Sequence, residues 1–184
     1  MRQTAYQRAC RRIETDGRKH CINIYGATAI VLWNHWGKRK VTISRLFDLT
    51  HDVWQACAKD HDSSMIQMCE KETGIEIRNE SGVSWRDVQY LNSSINPGMM
   101  NEAQWRYMRQ QQIKWIRPQI MACIMVALHR KYGFGFQRCR WIYQLIEDIE
   151  AEYKAKPEQI RKACMELKGI DVADVVTKKG EQGE

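Results

Sequence analysis

Three side chains are spaced so that they could act together in catalysis or metal binding. Asp48, His51 and Asp52 lie three and four residues apart, so a helix would place them on adjacent turns. Carboxylates and an imidazole in this arrangement can bind a divalent ion or assist phosphodiester hydrolysis. The same segment also carries apolar residues at helical intervals, which favours the interpretation that the three form a solvated polar face. We therefore predict no metal site here.

Other catalytic patterns are absent from the sequence. The five histidines, at positions 20, 35, 51, 61 and 129, form no HExxH motif and no paired His/Cys spacing. The segment Gly133-Phe134-Gly135 lies between predicted helices rather than after a strand, so it does not resemble a phosphate-binding loop. We expect a protein without enzymatic activity and without a cofactor. A metal-dependent nuclease using the acidic group above remains an alternative.

Cationic side chains give a stronger signal. The chain has 184 residues and a formal net charge of +7, which favours a polyanion or an acidic protein surface as its partner. No Asp or Glu occurs between Glu102 and Glu147, whereas arginines, lysines and aromatic residues accumulate there. Lysines and arginines can hold phosphates, although each can also simply solvate a helix. The candidate binding residues are Lys38, Arg39, Lys40, Arg45, Arg106, Arg109, Lys114, Arg117, Arg130, Lys131, Arg138 and Arg140.

The elements that position these residues are predicted to be helices. Only three prolines and eleven glycines interrupt apolar residues that recur every three or four positions, so we expect a mainly α fold. Helices are predicted at 4–13, 24–36, 42–58, 65–71, 102–131, 139–153 and 157–167. Pro118 predicts a kink or break near Arg117, and short β-like segments are expected after Gly74 and Gly169. The tryptophans at 33, 36, 54, 105, 115 and 141 fall mostly on apolar stripes, which favours core packing over base stacking.

The helices form two similar series. Residues 1–77 are predicted to be an N-terminal helical unit, 78–100 a connector, 101–176 a C-terminal helical unit and 177–184 a disordered tail. A shift of 96 positions aligns Leu32 with Leu128 and Gly37 with Gly133, and a shift of 95 aligns Cys69 with Cys164. The common order of helix, glycine turn, helix and short helix indicates an internal repeat with pseudo-two-fold character. Such a molecule could present two related surfaces to one partner or form a homodimer.

Two further features concern the compartment. The longest apolar run, 120–128, is far shorter than the roughly 20 residues that a membrane span needs, and the arginine-containing N-terminus has no apolar signal region. The seven cysteines form no CxxC pair, which favours buried thiols in a reducing cytoplasm over a disulfide framework. We expect no membrane association.

The segment 127–138 reads Ala-Leu-His-Arg-Lys-Tyr-Gly-Phe-Gly-Phe-Gln-Arg and precedes two amphipathic helices. It resembles small proteins encoded by phages and prophages of Gram-positive gut bacteria, in which Ala-Leu-His, an acidic residue, an aromatic residue, Gly-Phe-Gly and a basic residue recur. In this chain Arg130 or Lys131 stands at the acidic position, which makes the turn more basic. The resemblance covers about forty residues.

By size, charge and duplicated helical layout, the whole chain also resembles the type II-A anti-CRISPR proteins of gut Firmicutes. This resemblance implies a stoichiometric inhibitor of the guide-RNA-loaded type II CRISPR effector nuclease in the cytoplasm of a bacterial host, with some affinity of its own for duplex DNA. The alternative is a phage DNA-binding or transcription-accessory protein with no defence target. That alternative predicts DNA binding that weakens with salt and no complex with the nuclease.

Overall fold

The structure is a computed structural model that describes the backbone of residues 5–37, 40–59, 65–77, 102–154 and 156–173. Within these ranges it describes the side chains of residues 15, 17–37, 42–57, 65–77, 114–154, 156–166 and 169–173. The regular elements of this part of the chain are helices, so the predicted mainly α fold is confirmed. They are α1 (Ala5–Trp36), α2 (Lys40–Lys59), α3 (Met65–Thr73), α4 (Glu102–Tyr132), α5 (Phe136–Glu152) and α6 (Pro157–Lys168).

Helix α1 continues through the position where the sequence predicts a break. The interpretation of Gly17 as the end of one helix is wrong, because a single helix runs from Ala5 to Trp36. A glycine inside a helix costs only about 1 kcal/mol relative to alanine. A β-carbon at this position would lie 3.7 Å from Cδ1 of Ile116, so Gly17 lies against α4. Burial of the second half of α1, including Ile24 and Leu32, outweighs this cost.

Helix α4 is likewise continuous, and a break at Pro118 does not occur. A proline inside a helix costs about 3 kcal/mol. The residues that follow it, 120–128, are all at most 4% exposed, on every side of the helix. Burial of so many apolar side chains exceeds the cost of one proline, since each contributes roughly 1.5–3 kcal/mol. The apolar run is thus the central helix of the molecule.

Glycines end four of the helices. Gly37, Gly74, Gly133 and Gly169 follow α1, α3, α4 and α6 with φ angles of +58°, +72°, +63° and +61°. The segments after Gly74 and Gly169 are not strands. Ile75 and Ile77 are buried without regular structure, and residues 172–173 are helical. The β-like segments are therefore not observed in the residues that the structure describes.

Most helix contacts join one predicted helical unit to the other. Helix α1 packs most extensively against α6, and equally against α4 and α5. Helix α4 packs chiefly against α3 and α2. At one such contact the Cys164 thiol of α6 donates to the Gly26 carbonyl of α1 over 3.4 Å. The predicted connector, 78–100, and the predicted disordered tail, 177–184, lie outside the described residues. None of the described helices is both long and apolar enough to cross a membrane.

Candidate functional site

The structure divides the candidate cations into paired and exposed groups. Arg117 is largely buried and engages Glu150 through two hydrogen bonds, of 2.7 and 3.1 Å, and Glu147 through one of 3.3 Å. Burial alone would lower the pKa of this guanidinium, but the adjacent Glu150 carboxylate raises the pKa above its ordinary value. Arg117 therefore ties α4 to α5 rather than facing a partner.

Arg130 is also paired, although it lies closer to solvent. Its guanidinium donates to both carboxylate oxygens of Glu72, at 2.6 and 3.0 Å, and these hydrogen bonds raise its pKa. This bidentate pair connects the last turn of α4 to the end of α3. Arg45 and Lys114 are exposed and Lys131 is half-buried.

For five of the twelve candidate cations the structure describes no side chain. Lys38 and Arg39 lie outside the described residues. Lys40 begins α2, and Arg106 and Arg109 lie on α4, but the described side chains do not include these three. The two remaining cations, Arg138 and Arg140, are exposed in the first turns of α5.

The turn that holds Arg138 and Arg140 is fixed by its own backbone. The amide of Gly133 donates to the carbonyl of His129 over 2.8 Å and ends α4. The carbonyl of Phe134 then receives His129 Nδ1 at 2.9 Å and the Cys139 thiol at 3.3 Å. Because a carbonyl can only accept, Nδ1 of His129 carries the proton in this contact. Burial raises the pKa of Cys139 to about 11, which keeps this thiol a neutral donor.

An aromatic cluster surrounds this turn and joins it to the end of α1. The Trp141 ring meets Trp36 at 5.2 Å and His35 at 5.3 Å between centroids, both in edge-on geometry. Trp36 also meets Phe134 at 5.8 Å. The guanidinium of Arg138 lies 5.7 Å from the centre of the Phe134 ring. We call this surface the aromatic–basic end and define it as His35, Trp36, Phe134, Phe136, Arg138, Arg140 and Trp141.

The aromatic–basic end lies where α1 ends and α5 begins. Trp36 is the last residue of α1, and α2 begins at Lys40, at most about 14 Å of chain further on. Neither α2 nor α5 has an acidic residue in its first turn, and at α5 the partial positive charge of the helix N-terminus adds to that of Arg138.

Sequence reasoning missed the principal aromatic residue of this surface. Trp141 is 50% exposed, contrary to its predicted place in the core, whereas Trp115 is buried as expected. Trp141 and Phe136 are two of the three large hydrophobic side chains that are exposed in the described part of the chain. The sequence contains a weak signal for this exposure, because Trp141 is flanked by Arg140 and lies two residues from the buried Cys139.

The acidic group on α2 lies at the surface of the helix. Asp48 and Asp52 are exposed and His51 is half-buried. Among the side chains that the structure describes, no three of His, Cys, Asp or Glu are arranged to hold a metal ion. These residues fit the polar face predicted for them.

Comparison with known proteins returns no match, since no protein-family model, curated protein or solved structure is significantly similar to the chain.

Proposed function

We propose that this chain is a phage-encoded, non-enzymatic inhibitor that binds the guide-RNA-loaded type II CRISPR effector nuclease through the aromatic–basic end. Segment 127–138 resembles phage-encoded proteins, and the overall layout resembles type II-A anti-CRISPR proteins; these two resemblances support this target. The observation that carries the binding mode is the pair Arg138 and Arg140, which are exposed beside the half-exposed Trp141. We place the protein in the cytoplasm of a bacterial host.

The position of these arginines supports a binding role over a structural one. Arg138 lies in the first turn of α5, where a cation opposes the helix dipole at a cost of about 0.3–1 kcal/mol. Arg138 and Arg140 make no ion pair among the described residues, and each lies near the face of an aromatic ring. An exposed pair of cations, one of which slightly destabilises its own helix, is most simply explained by a ligand. Effector nucleases offer nucleic acid and acidic patches to such a surface.

We also propose that the fold arose by duplication. The packing of the two halves is related by an exchange of α1, α2 and α3 with α4, α5 and α6. Helix α6 packs on α1 in the same way that α3 packs on α4. Likewise, α5 packs on α1 and α2 packs on α4. Gly37 and Gly133 correspond in this exchange, as do Gly74 and Gly169, and all four have positive φ. A duplicated fold of this kind could act as a monomer that presents two related surfaces to one partner. A homodimer is the alternative.

The experiment that tests the target is size-exclusion chromatography of the chain with a guide-loaded type II effector nuclease, alongside a cleavage assay. We expect co-elution of the chain with the guide-loaded nuclease, together with loss of cleavage. Arg138→Glu with Arg140→Glu should abolish both. The melting temperature should hardly change, because acidic residues are favoured at a helix N-terminus.

A matched control changes the same amount of charge elsewhere. Lys156→Glu with Lys162→Glu alters two exposed residues at and within α6, and this variant should co-elute and inhibit normally. Normal inhibition by the arginine variant would contradict the site. A salt-sensitive shift of duplex DNA without any co-elution would contradict the target and favour the second candidate function, a phage DNA-binding protein.

A further inference from the structure

The aromatic–basic end exposes ring surface that its packing does not use. Trp141 is 50% and Phe136 is 45% exposed, whereas Phe134, between them and the core, is 5% exposed. Phe136 lies over Gly74, where a β-carbon would come within 3.1 Å of its ring, so one side of this ring is covered. The two exposed rings therefore belong to a packed structure and still present apolar surface to solvent.

Trp141 is held in place before any ligand arrives. Trp36 and His35 contact its ring at angles of 64° and 68°, which limits rotation of the indole. Tyr132 and Trp36 both pack on Phe134, so the rings form one continuous group. A ring fixed in this way binds a ligand without paying the entropy of ordering a mobile side chain.

Positive charge lies next to the exposed rings. Arg138 stays near Phe134 at 5.7 Å and Arg140 near Phe136 at 5.9 Å, each measured from the guanidinium carbon to the ring centre. An arginine over a ring retains donors at the edge of its guanidinium plane for a phosphate. Two rings, Phe136 and Trp141, and two cations, Arg138 and Arg140, thus lie within the first two turns of α5.

This combination fits unpaired bases better than a duplex. Bases within a duplex are already stacked on their neighbours, and cations alone are enough to hold its phosphates. Single strands are bound by cationic grooves that also carry aromatic rings, on which successive bases stack. Exposed rings add little to duplex binding, but they provide the stacking surface that a single strand requires.

We infer that the aromatic–basic end binds unpaired nucleotides of single-stranded nucleic acid, with Trp141 stacking on a base and Arg138 and Arg140 contacting the flanking phosphates. This inference deepens the proposed function, because it rests on the same surface and names the chemistry that the surface recognises. A guide-loaded nuclease offers such nucleotides in unpaired guide RNA, and after it binds target DNA also in the displaced strand.

The test measures fluorescence anisotropy of the full chain with labelled oligonucleotides of about 12 nucleotides, a length within the range of known single-strand sites. The probes are oligo-dT, oligo-U, a DNA duplex and an abasic strand that keeps the phosphates but lacks bases. We expect tighter binding of oligo-dT or oligo-U than of the duplex or the abasic strand. The comparison of oligo-dT with oligo-U distinguishes DNA from RNA as the source of the nucleotides.

Substitution at Trp141 isolates the stacking contact. Trp141→Ala should weaken oligo-dT binding by about 5- to 100-fold and leave duplex binding unchanged, while Trp141→Phe should restore much of the loss. Circular dichroism checks that both variants fold. The abasic comparison uses the unmodified chain and decides the question even if the alanine variant does not fold.

Several outcomes would overturn the inference. Equal affinity for the abasic strand and oligo-dT would show that only phosphates are recognised. An alanine variant that binds oligo-dT normally but fails to co-elute with the nuclease would assign Trp141 to a protein contact. Failure of the proposed function is seen separately, as absence of nuclease co-elution by the unmodified chain, whatever the oligonucleotide result.

Discussion

Arg117 and Arg138 are both cations of the acid-free stretch, yet the folded chain uses them in opposite ways. Arg138 faces solvent, whereas Arg117 lies within hydrogen-bonding distance of Glu150, whose side chain is only 8% exposed. The two carboxylates that pair with Arg117 are about thirty positions away in sequence. No local pattern could therefore distinguish a buried, paired arginine from an exposed one.

At this residue scale, we predict that Arg117→Met destabilises the fold by about 3 kcal/mol, because it leaves the Glu150 carboxylate buried without its partner. The double variant Arg117→Met with Glu150→Met removes both charges and should recover most of the loss. Thermal or urea unfolding measures both effects. A double variant no more stable than the single one would show that the ion pair is not what maintains this contact.

At the scale of elements, glycine sets the distance between α1 and α6. A β-carbon on Gly26 would lie 2.2 Å from Cγ2 of Ile160, a separation at which either the Ile160 side chain or one of the two helices must shift. Gly17 on the same helix would place its β-carbon 3.7 Å from Ile116, which is an ordinary contact. The two glycines share a helix and differ only in how closely the neighbouring helix approaches.

The pair of glycines gives a matched prediction. Gly26→Ala should destabilise the fold by about 1–3 kcal/mol through overpacking. Gly17→Ala should instead be neutral or stabilising by up to about 1 kcal/mol, since alanine is the better helix former. Chemical unfolding of both variants tests this difference. Equal effects of the two substitutions would contradict the close approach of α6 to α1.

At the scale of the whole molecule, neither half buries its own short helix. Helix α3 of the first half lies mainly on α4, and α6 of the second half lies mainly on α1. A half produced alone would expose the apolar faces that these contacts cover, including Ile66 and Cys69 on one side and Ile160 and Cys164 on the other.

This packing predicts that residues 1–77 and 101–184, expressed separately, are each poorly folded, whereas the two halves expressed together form a stable 1:1 complex. Affinity purification through a tag on one half, followed by circular dichroism, measures the association. Two halves that are separately helical, cooperative and monomeric would show that the units fold independently and would contradict the interlocked arrangement.

The sequence by itself determined the helical class and most helix ends. Apolar spacing predicted α2, α4 and α6 closely, and the glycines at 37, 74, 133 and 169 marked the ends of helices, because glycine adopts the left-handed backbone locally and at little cost. The excess of cations, and their concentration in the acid-free stretch, is also a property of the sequence alone.

Tertiary structure decided the rest. Helices α1 and α4 pass through Gly17 and Pro118, because burial of their apolar surfaces contributes more than the roughly 1–3 kcal/mol that a helix breaker costs. Only the folded chain pairs Arg117 with Glu150 and brings the end of α1 against Trp141. These contacts join residues distant in sequence, so their free energies depend on packing that no local pattern encodes.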